Sequence, residues 1–83
     1  MLSGVKEIKP FENFKLLLTF ENSEKRKFDL IPFLNHGSFS ELKKETMFRT
    51  VRVNFDSIDW QNGLDLCPEI LFNESVKIQN KNK

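Results

Sequence analysis

The chain of 83 residues has no tyrosine and only one cysteine, one histidine and one tryptophan. Because Cys67 has no second cysteine to pair with, an internal disulfide is excluded. Cys67 and His36 together are too few ligands for a zinc site. No apolar run approaches the ~20 residues that span a bilayer. The opening segment MLSGVKEIKP lacks the apolar stretch of a signal peptide, so the sequence predicts a cytoplasmic protein without a membrane segment or cofactor.

The chain also lacks a large excess of charge of either sign. Thirteen lysines and arginines stand against 12 acidic residues, for a net charge of +1. Charges of both signs are interspersed, which implies no long-range attraction to nucleic acid or to anionic membranes. What the chain does have is nine phenylalanines. A phenylalanine buries a large area without any polar atom, so this composition predicts one small domain with a shared aromatic core.

The most informative stretch is residues 51–60, where apolar and polar side chains alternate as in half-buried strands. A two-residue loop at residues 56–57 would place Phe55 opposite Ile58. One face of this hairpin then carries Val51, Val53, Phe55, Ile58 and Trp60. The other face carries Arg52, Asn54 and Asp59. Because two-residue loops favour Asn-Gly or a glycine, a longer or bulged loop is the alternative.

A turn and a short helix are predicted next. Asn62 and Gly63 form a strong turn signal because both residues tolerate positive φ. Pro68 suits the first turn of a helix, with either Asp65 or Cys67 at or just before the N-cap, and Asp65 is the better side-chain acceptor. The helix should be about two turns long at most. It is expected to fold three apolar side chains over the hairpin: Leu66, Ile70 and Leu71.

The N-terminal third predicts three strands. Residues 4–9 form an edge or bulged strand that ends at Pro10. Residues 14–20 form a better strand, with one apolar face made of Phe14, Leu16, Leu18 and Phe20. After a loop at residues 22–24 the chain returns over residues 25–30, which would place Phe28 opposite Leu18. Arg26 then lies on the inner face, with its aliphatic stem packed and its head in water.

The middle of the chain predicts short helices. Pro32 forbids a central strand, and either Asn35 or Gly37 can take positive φ. Ser38 and Glu41 form a capping box that opens one helix, and residues 45–49 add another turn with Met47 and Phe48 inward. Residues 73–83 are polar and predicted to be a disordered tail, leaving one domain over residues 1–72. The fold class is therefore α+β, a small antiparallel sheet of about four to five strands with short helices on one face.

Candidate catalytic groups do not assemble in this reading. The pairing of Cys67 with His36 has no third group to orient the base. A carboxylate pair of the kind that hydrolases use could be drawn from Asp29, Asp56, Asp59 and Asp65. The last three have better structural explanations: Asp56 is expected in a turn, Asp59 on an outward face and Asp65 at a helix cap. The sequence therefore predicts no catalytic, cofactor-binding or metal-binding residue, and a small hydrolase-like enzyme is the least favoured class.

Two kinds of binding surface remain as candidates. Basic residues that could contact nucleic acid are Lys25, Arg26, Lys27, Lys43, Lys44, Arg49 and Arg52. The interleaved acids Glu24, Glu41 and Glu45 weaken that interpretation. The second candidate is the exposed edge of the first strand or of its neighbour, which could pair with a partner strand because an edge leaves N–H and C=O groups unpaired.

A family resemblance emerges from the central stretch. The run Ile58-x-Trp60-x-Asn62-Gly63-x-Asp65-Leu66-x-Pro68-Glu69-x-Leu71 resembles the bacterial domain-of-unknown-function 2442 family. Two upstream spacings, Phe39-x-x-Leu42 and Phe48-x-x-Val51, fit the same family, and the similarity covers about residues 4–72. Within it, the motif residues taken as structural are Trp60, Asn62, Gly63, Asp65 and Pro68. The chain departs from the family at residues 22–24, where members usually carry Asp-Gly.

The resemblance implies a small α+β domain that occurs alone, joined to a helix-turn-helix domain, or beside another short protein in arrangements that look like toxin–antitoxin pairs. It offers no catalytic residue to carry over. The leading hypothesis is therefore a non-enzymatic, antitoxin-like or regulatory module that binds a small protein and could also bind itself. The alternative is an accessory nucleic-acid-binding protein that uses the basic residues named above.

Overall fold

The computed structural model describes residues 4–78, which contain seven strands and four short helices. The strands are β1 (Val5–Phe11), β2 (Lys15–Phe20), β3 (Lys25–Asp29), β4 (Arg52–Asn54), β5 (Ser57–Asp59), β6 (Asp65–Leu66) and β7 (Val76–Lys77). The α-helices are α1 (Glu45–Phe48) and α2 (Pro68–Glu74), and 3-10 helices cover Ile31–Phe33 and Gly37–Lys43. The predicted α+β class is confirmed. Its strands divide between two antiparallel sheets, ordered β1-β2-β3-β7 and β4-β5-β6.

Strand β2 is central in the four-stranded sheet, and its alternate side chains Leu16, Leu18 and Phe20 are fully buried, as predicted. The pairing with β3 differs, because Phe28 lies opposite Leu16 instead of Leu18. The loop is responsible: the N–H of Phe20 donates to the carbonyl of Glu24 at 2.9 Å, which closes the hairpin earlier than expected. A slide by two residues leaves every side chain on its predicted face.

Strand β1 lies at the edge of this sheet and carries a bulge between Val5 and Glu7, so the prediction of an edge or bulged strand is confirmed. The prediction that Pro10 ends the strand is wrong. Pro10 pairs with Leu16, and the strand continues to Phe11. An edge position allows this, because a missing N–H on the open side breaks no ladder bond.

The hairpin of β4 and β5 turns one residue earlier than predicted. Asn54 lies opposite Ser57, so the loop consists of Phe55 and Asp56. The predicted inward position of Phe55 is wrong, since this side chain is 94% exposed and its φ is +58°. Val53 and Ile58 still share the inner face, because the register again slides by two residues.

The turn predicted at Asn62 and Gly63 is confirmed. The N–H of Gly63 donates to the carbonyl of Trp60 at 3.0 Å, and the φ of Gly63 is +93°. The chain then returns to pair β6 with β5, so Asp65 lies opposite Asp59 in a strand and does not cap a helix. Cys67 holds the N-cap position of α2, and Pro68 opens the helix as predicted.

Three further predictions about the helices are settled by the packing. Leu71 is fully buried and Leu66 is buried, whereas Ile70 is 40% exposed and does not cover the hairpin. The predicted capping box is wrong: the 3-10 helix begins at Gly37, with φ of +54°, and among the described residues no side chain caps it. The sequence predicts positive φ at either Asn35 or Gly37, and in the structure Gly37 takes the left-handed conformation.

One core joins the two sheets. Trp60 is 2% exposed, and its indole N–H donates to the carbonyl of Phe48 at 3.1 Å, which satisfies the only polar atom of the ring. Edge-to-face contacts link the ring to Phe39 and link Phe14 to Phe48. The buried set is Val5, Leu16, Leu18, Phe20, Phe28, Leu30, Leu34, Leu42, Phe48, Val51, Ile58, Trp60, Leu66 and Leu71.

The C-terminal boundary differs from the prediction. Residues 73–78, assigned to a disordered tail, continue α2 to Glu74 and then form β7, which pairs with β3. Ser75 between them is 7% exposed. Val76 and Ile78 are the only apolar residues of this segment, which is too weak a pattern to predict a strand. The pairing of β7 with β3 also depends on contacts between residues distant in sequence. The prediction for residues 79–83 lies outside the described part of the chain.

Candidate protein-binding surface

The four-stranded sheet has one face in the core and one face toward solvent. We call the second the outer sheet face. Strand pairing arranges its side chains in rows, because directly opposed residues point to the same side. One row is Lys9, Leu17, Lys27 and Val76; a second is Glu7, Thr19 and Lys25; a third is Phe11, Lys15 and Asp29. Ile78 extends the second row, since its N–H donates to the carbonyl of Lys25 at 3.0 Å.

Charge on this face is unbalanced. Four lysines oppose two carboxylates, an excess of two positive charges in a chain whose net charge is +1. Lys15 forms an ion pair with Asp29 at 3.8 Å. Among residues 4–78, the other three lysines form no ion pair: Lys9, Lys25 and Lys27. They flank the aliphatic centre and are all exposed.

The middle of the outer sheet face is aliphatic. Leu17 is half-buried between Lys9 and Lys27, and Val76 at the end of the same row is 68% exposed. Ile78 is 38% exposed beside it. The helices and the three-stranded sheet contribute Leu42, Trp60 and Leu71 to the core on the opposite face. Within residues 4–78, therefore, no helix covers these aliphatic side chains.

Arg26 fixes the last strand of this face in place. From the core side of β3, its Nε donates to the hydroxyl of Ser75 at 2.7 Å, and Nη2 donates to the carbonyl of Ser75 at 3.0 Å. The side chain also forms an ion pair with Glu24 and is only 14% exposed. The inner-face position predicted for Arg26 is confirmed. The prediction that its guanidinium group reaches water is wrong, because the group binds Ser75 and Glu24.

The family model described as "Protein of unknown function (DUF2442)" matches residues 5–77. The chain belongs to the DUF2442 family. The match confirms the resemblance seen in the motif and extends it from the start of β1 to the end of β7, so it includes the strand that the sequence did not predict. No curated protein and no solved structure matches the chain.

The motif that carries the DUF2442 resemblance is structural in its contacts. Trp60 is a core residue, Gly63 supplies the positive φ of the turn, and Pro68 begins α2. The amide of Asn62 donates to a carboxylate oxygen of Glu41 at 2.8 Å, and its oxygen accepts the N–H of Leu64 at 3.2 Å. Asn62 thereby ties the turn to the 3-10 helix that ends at Lys43.

The seven basic residues considered for nucleic acid are divided by the fold. Lys25 and Lys27 lie on the outer sheet face, whereas Lys43 and Lys44 lie at the end of a 3-10 helix. Three arginines are already bound to carboxylates: Arg26 to Glu24, Arg49 to Glu45 and Arg52 to Asp59. The structure does not bring the seven together. The sequence missed Lys9, which joins Lys27 in one row only through the strand register.

One carboxyl group is perturbed. Hydrogen bonds from Arg52 at 2.8 Å and from Asn54 at 2.7 Å hold the pKa of Asp59 below the usual value for an aspartate. This cluster lies on the outward face of the β4–β5 hairpin, as the alternation predicted. Its geometry stabilises the charged form of Asp59, which suits a structural ion pair.

The remaining reactive groups are scattered. His36 and Cys67 are both exposed, and they lie before the second 3-10 helix and before α2. Asp56 occupies a turn, and Asp65 lies in β6. In the described range, no three histidine, cysteine or acidic side chains cluster as metal ligands would. No helix among those residues has the length and apolarity to span a membrane.

Proposed function

We propose that this DUF2442 chain is a non-enzymatic module that binds a small protein partner through the outer sheet face. One observation supports this most directly: on the outer sheet face, three lysines that form no ion pair among residues 4–78 flank the aliphatic side chains of Leu17 and Val76. Apolar contacts stabilise association by removing Leu17 and Val76 from water, and the lysines select a partner of opposite charge. The partner is therefore an acidic, amphipathic protein segment.

The chemistry of the surface favours protein over nucleic acid. Single-stranded nucleic acid binds where several aromatic rings stack on bases. Here the side chain between Lys9 and Lys27 is that of Leu17, and the rows of the outer sheet face contain a single aromatic residue, Phe11. Phosphate binding grows with the number of cations that neutralise the backbone, and an excess of two is small. A regulatory, antitoxin-like role is the form of this function that the family resemblance implies, with the partner encoded as a short neighbouring protein.

Charge reversal tests the proposal with a matched control. The Lys25→Glu/Lys27→Glu double variant changes the outer sheet face, and the Lys43→Glu/Lys44→Glu variant makes the same change in charge on exposed residues elsewhere. Each tagged chain is expressed in host cells, and co-purifying proteins are identified by mass spectrometry. We expect an acidic protein with the wild type and the control, and its loss from the Lys25/Lys27 variant.

Two results would contradict this assignment. One is a partner that is retained by the Lys25→Glu/Lys27→Glu variant, which would place the contact on another surface. The other is recovery of DNA or RNA with steeply salt-dependent binding that requires Lys25 and Lys27, which would make the outer sheet face a nucleic-acid surface. Circular dichroism of each variant checks that the fold is intact, as expected for exposed residues.

A further inference from the structure

Phe55 is the most exposed apolar side chain in the described part of the chain. It is 94% exposed at the tip of the β4–β5 hairpin, and its φ is +58°. The left-handed conformation is unfavourable for residues other than glycine. The two-residue loop requires a positive φ at its first residue, so the hairpin explains the backbone conformation of Phe55 but not the exposure of its ring. Such a loop position favours glycine or asparagine, so a phenylalanine there, with its ring outside the core, is a candidate binding contact.

The tip that presents Phe55 is held in place by β1. The carbonyl of Asp56 accepts the N–H of Val5 at 2.9 Å. Gly4 lies so close that a Cβ built on it would be 2.4–2.6 Å from the Asp56 side chain. On the other side of the loop, the hydroxyl of Ser57 donates to the carbonyl of Asn54 at 3.2 Å. Phe55 is therefore presented by a fixed loop.

A groove that suits an aromatic ring lies near the far end of β1. It has a volume of about 450 Å³ and is lined by four apolar side chains and three polar ones: Phe11, Phe14, Ile31, Phe48, Glu12, Asn13 and Glu45. Ile31 is 47% exposed at its edge. The loop that carries Phe55 is bonded through Asp56 to the Val5 end of β1, and the groove lies at the Phe11 end, about 20 Å away along the strand. One chain cannot fill its own groove.

We propose that the chain forms a two-fold dimer in which Phe55 of each copy inserts into the groove of the other. The same strand carries a projecting ring at one end and an apolar groove at the other, and two such contacts close when a second copy is rotated by a two-fold axis. Charge supports the arrangement: Lys6 follows Val5, which is bonded to the tip, Glu12 lines the groove, and neither forms an ion pair among residues 4–78. The other charged side chain of the tip, Asp56, lies against Gly4.

This inference is independent of the partner proposed above, because it depends on neither Lys25 nor Lys27. Sedimentation equilibrium across micromolar to millimolar concentrations measures the dimer. We expect Phe55→Asn to raise the dissociation constant by about 30-fold or more, the size of an interface hot spot. Asparagine tolerates positive φ, so at concentrations below the dimer dissociation constant the variant should be at least as resistant to urea as the wild type.

A complementary variant tests the groove. Ile31→Asp should also give a monomer, and mixing it with Phe55→Asn should restore a heterodimer, because the mixed pair keeps one intact contact. Isotope-filtered NMR of mixed labelled and unlabelled wild type should show contacts between the Phe55 ring and the Ile31 methyl groups. A wild type that stays monomeric, a dimer unaffected by Phe55→Asn, a mixture that stays monomeric, or a dimer without those contacts would each overturn the proposal.

Discussion

The guanidinium carbon of Arg26 lies 4.2 Å above the centre of the Phe72 ring. Phe72 belongs to α2 and packs edge-on against Phe20 in the core. The same guanidinium donates hydrogen bonds to Ser75, which precedes β7. One side chain from β3 therefore anchors both the last helix and the last strand, and it sets where Val76 joins the outer sheet face.

Replacing this anchor should loosen the C-terminal segment. We expect Arg26→Ala to lower the free energy of unfolding by about 2–3 kcal/mol, because a nearly buried charged group loses several hydrogen bonds at once. The amide of Ile78, which donates to Lys25, should exchange its hydrogen faster than in the wild type. Urea denaturation and amide exchange by NMR measure the two effects.

Arg49→Ala is the matched control for that experiment. Arg49 bonds Glu45 one helical turn away at 2.9 Å, but both side chains are about half exposed. An exposed pair of this kind contributes about 0.3–0.5 kcal/mol. If Arg26→Ala proved as mild as Arg49→Ala, or left the exchange of Ile78 unchanged, Arg26 would not hold β7 in place.

The indole of Trp60 should contribute through its hydrogen bond as well as its area. Trp60→Phe keeps an aromatic ring but removes the N–H that satisfies the carbonyl of Phe48. We expect a loss of about 1–3 kcal/mol, the usual effect of leaving a buried acceptor without its donor. Thermal and urea unfolding followed by circular dichroism provide the value. Equal stability of Trp60→Phe and wild type would contradict the buried contact.

Asp59 should titrate at a lower pH than an ordinary aspartate. Because Arg52 and Asn54 bind its charged form, the depressed pKa adds stability above the unfolded-state value, and that stability is lost as the pH falls through the lowered pKa. Arg52→Met should move the pKa back upward. Carboxyl-carbon NMR titration measures both, with Arg49→Met as the control. An Asp59 pKa unchanged by Arg52→Met would rule out this cause.

Ser38 tests whether the helix that follows has a capping box. A capping serine replaced by alanine usually costs about 1 kcal/mol. In the structure His36 holds the N-cap position, so Ser38 lies inside the 3-10 helix and is exposed. Ser38→Ala should therefore change the free energy of unfolding by less than about 0.5 kcal/mol. A loss near the capping value, measured in urea, would restore the interpretation made from the sequence.

The alternation of apolar and polar side chains predicted which face of a strand each residue occupies better than it predicted which residues pair across neighbouring strands. Leu16 and Phe28 share the buried face whichever register the hairpin adopts, because both registers differ by two residues. The loops decided the register, and their geometry depends on local hydrogen bonds that the pattern does not contain. Phe55 illustrates this: it continues the apolar alternation, yet the tighter loop places it outside the core.

The candidate surface was less predictable than the core. Lys25 and Lys27 stand out as a basic run, but only pairing through β2 shows that Lys9 joins Lys27 in a row across Leu17. Val76 reaches the same row because Arg26 binds Ser75, a contact between residues 49 positions apart. Residues so distant in sequence leave no local pattern, which is why the sequence predicts a disordered tail where β7 forms.

The proposed binding role is tested most directly by crosslinking from the middle of the outer sheet face. A photoreactive amino acid replaces Leu17 in the chain expressed in host cells, and a second chain carries it at Lys44 as the control. The proposal predicts a covalent adduct from position 17 that mass spectrometry maps to an acidic protein segment and that Lys25→Glu/Lys27→Glu abolishes. An adduct only from position 44, or a position-17 adduct indifferent to that charge reversal, would contradict it.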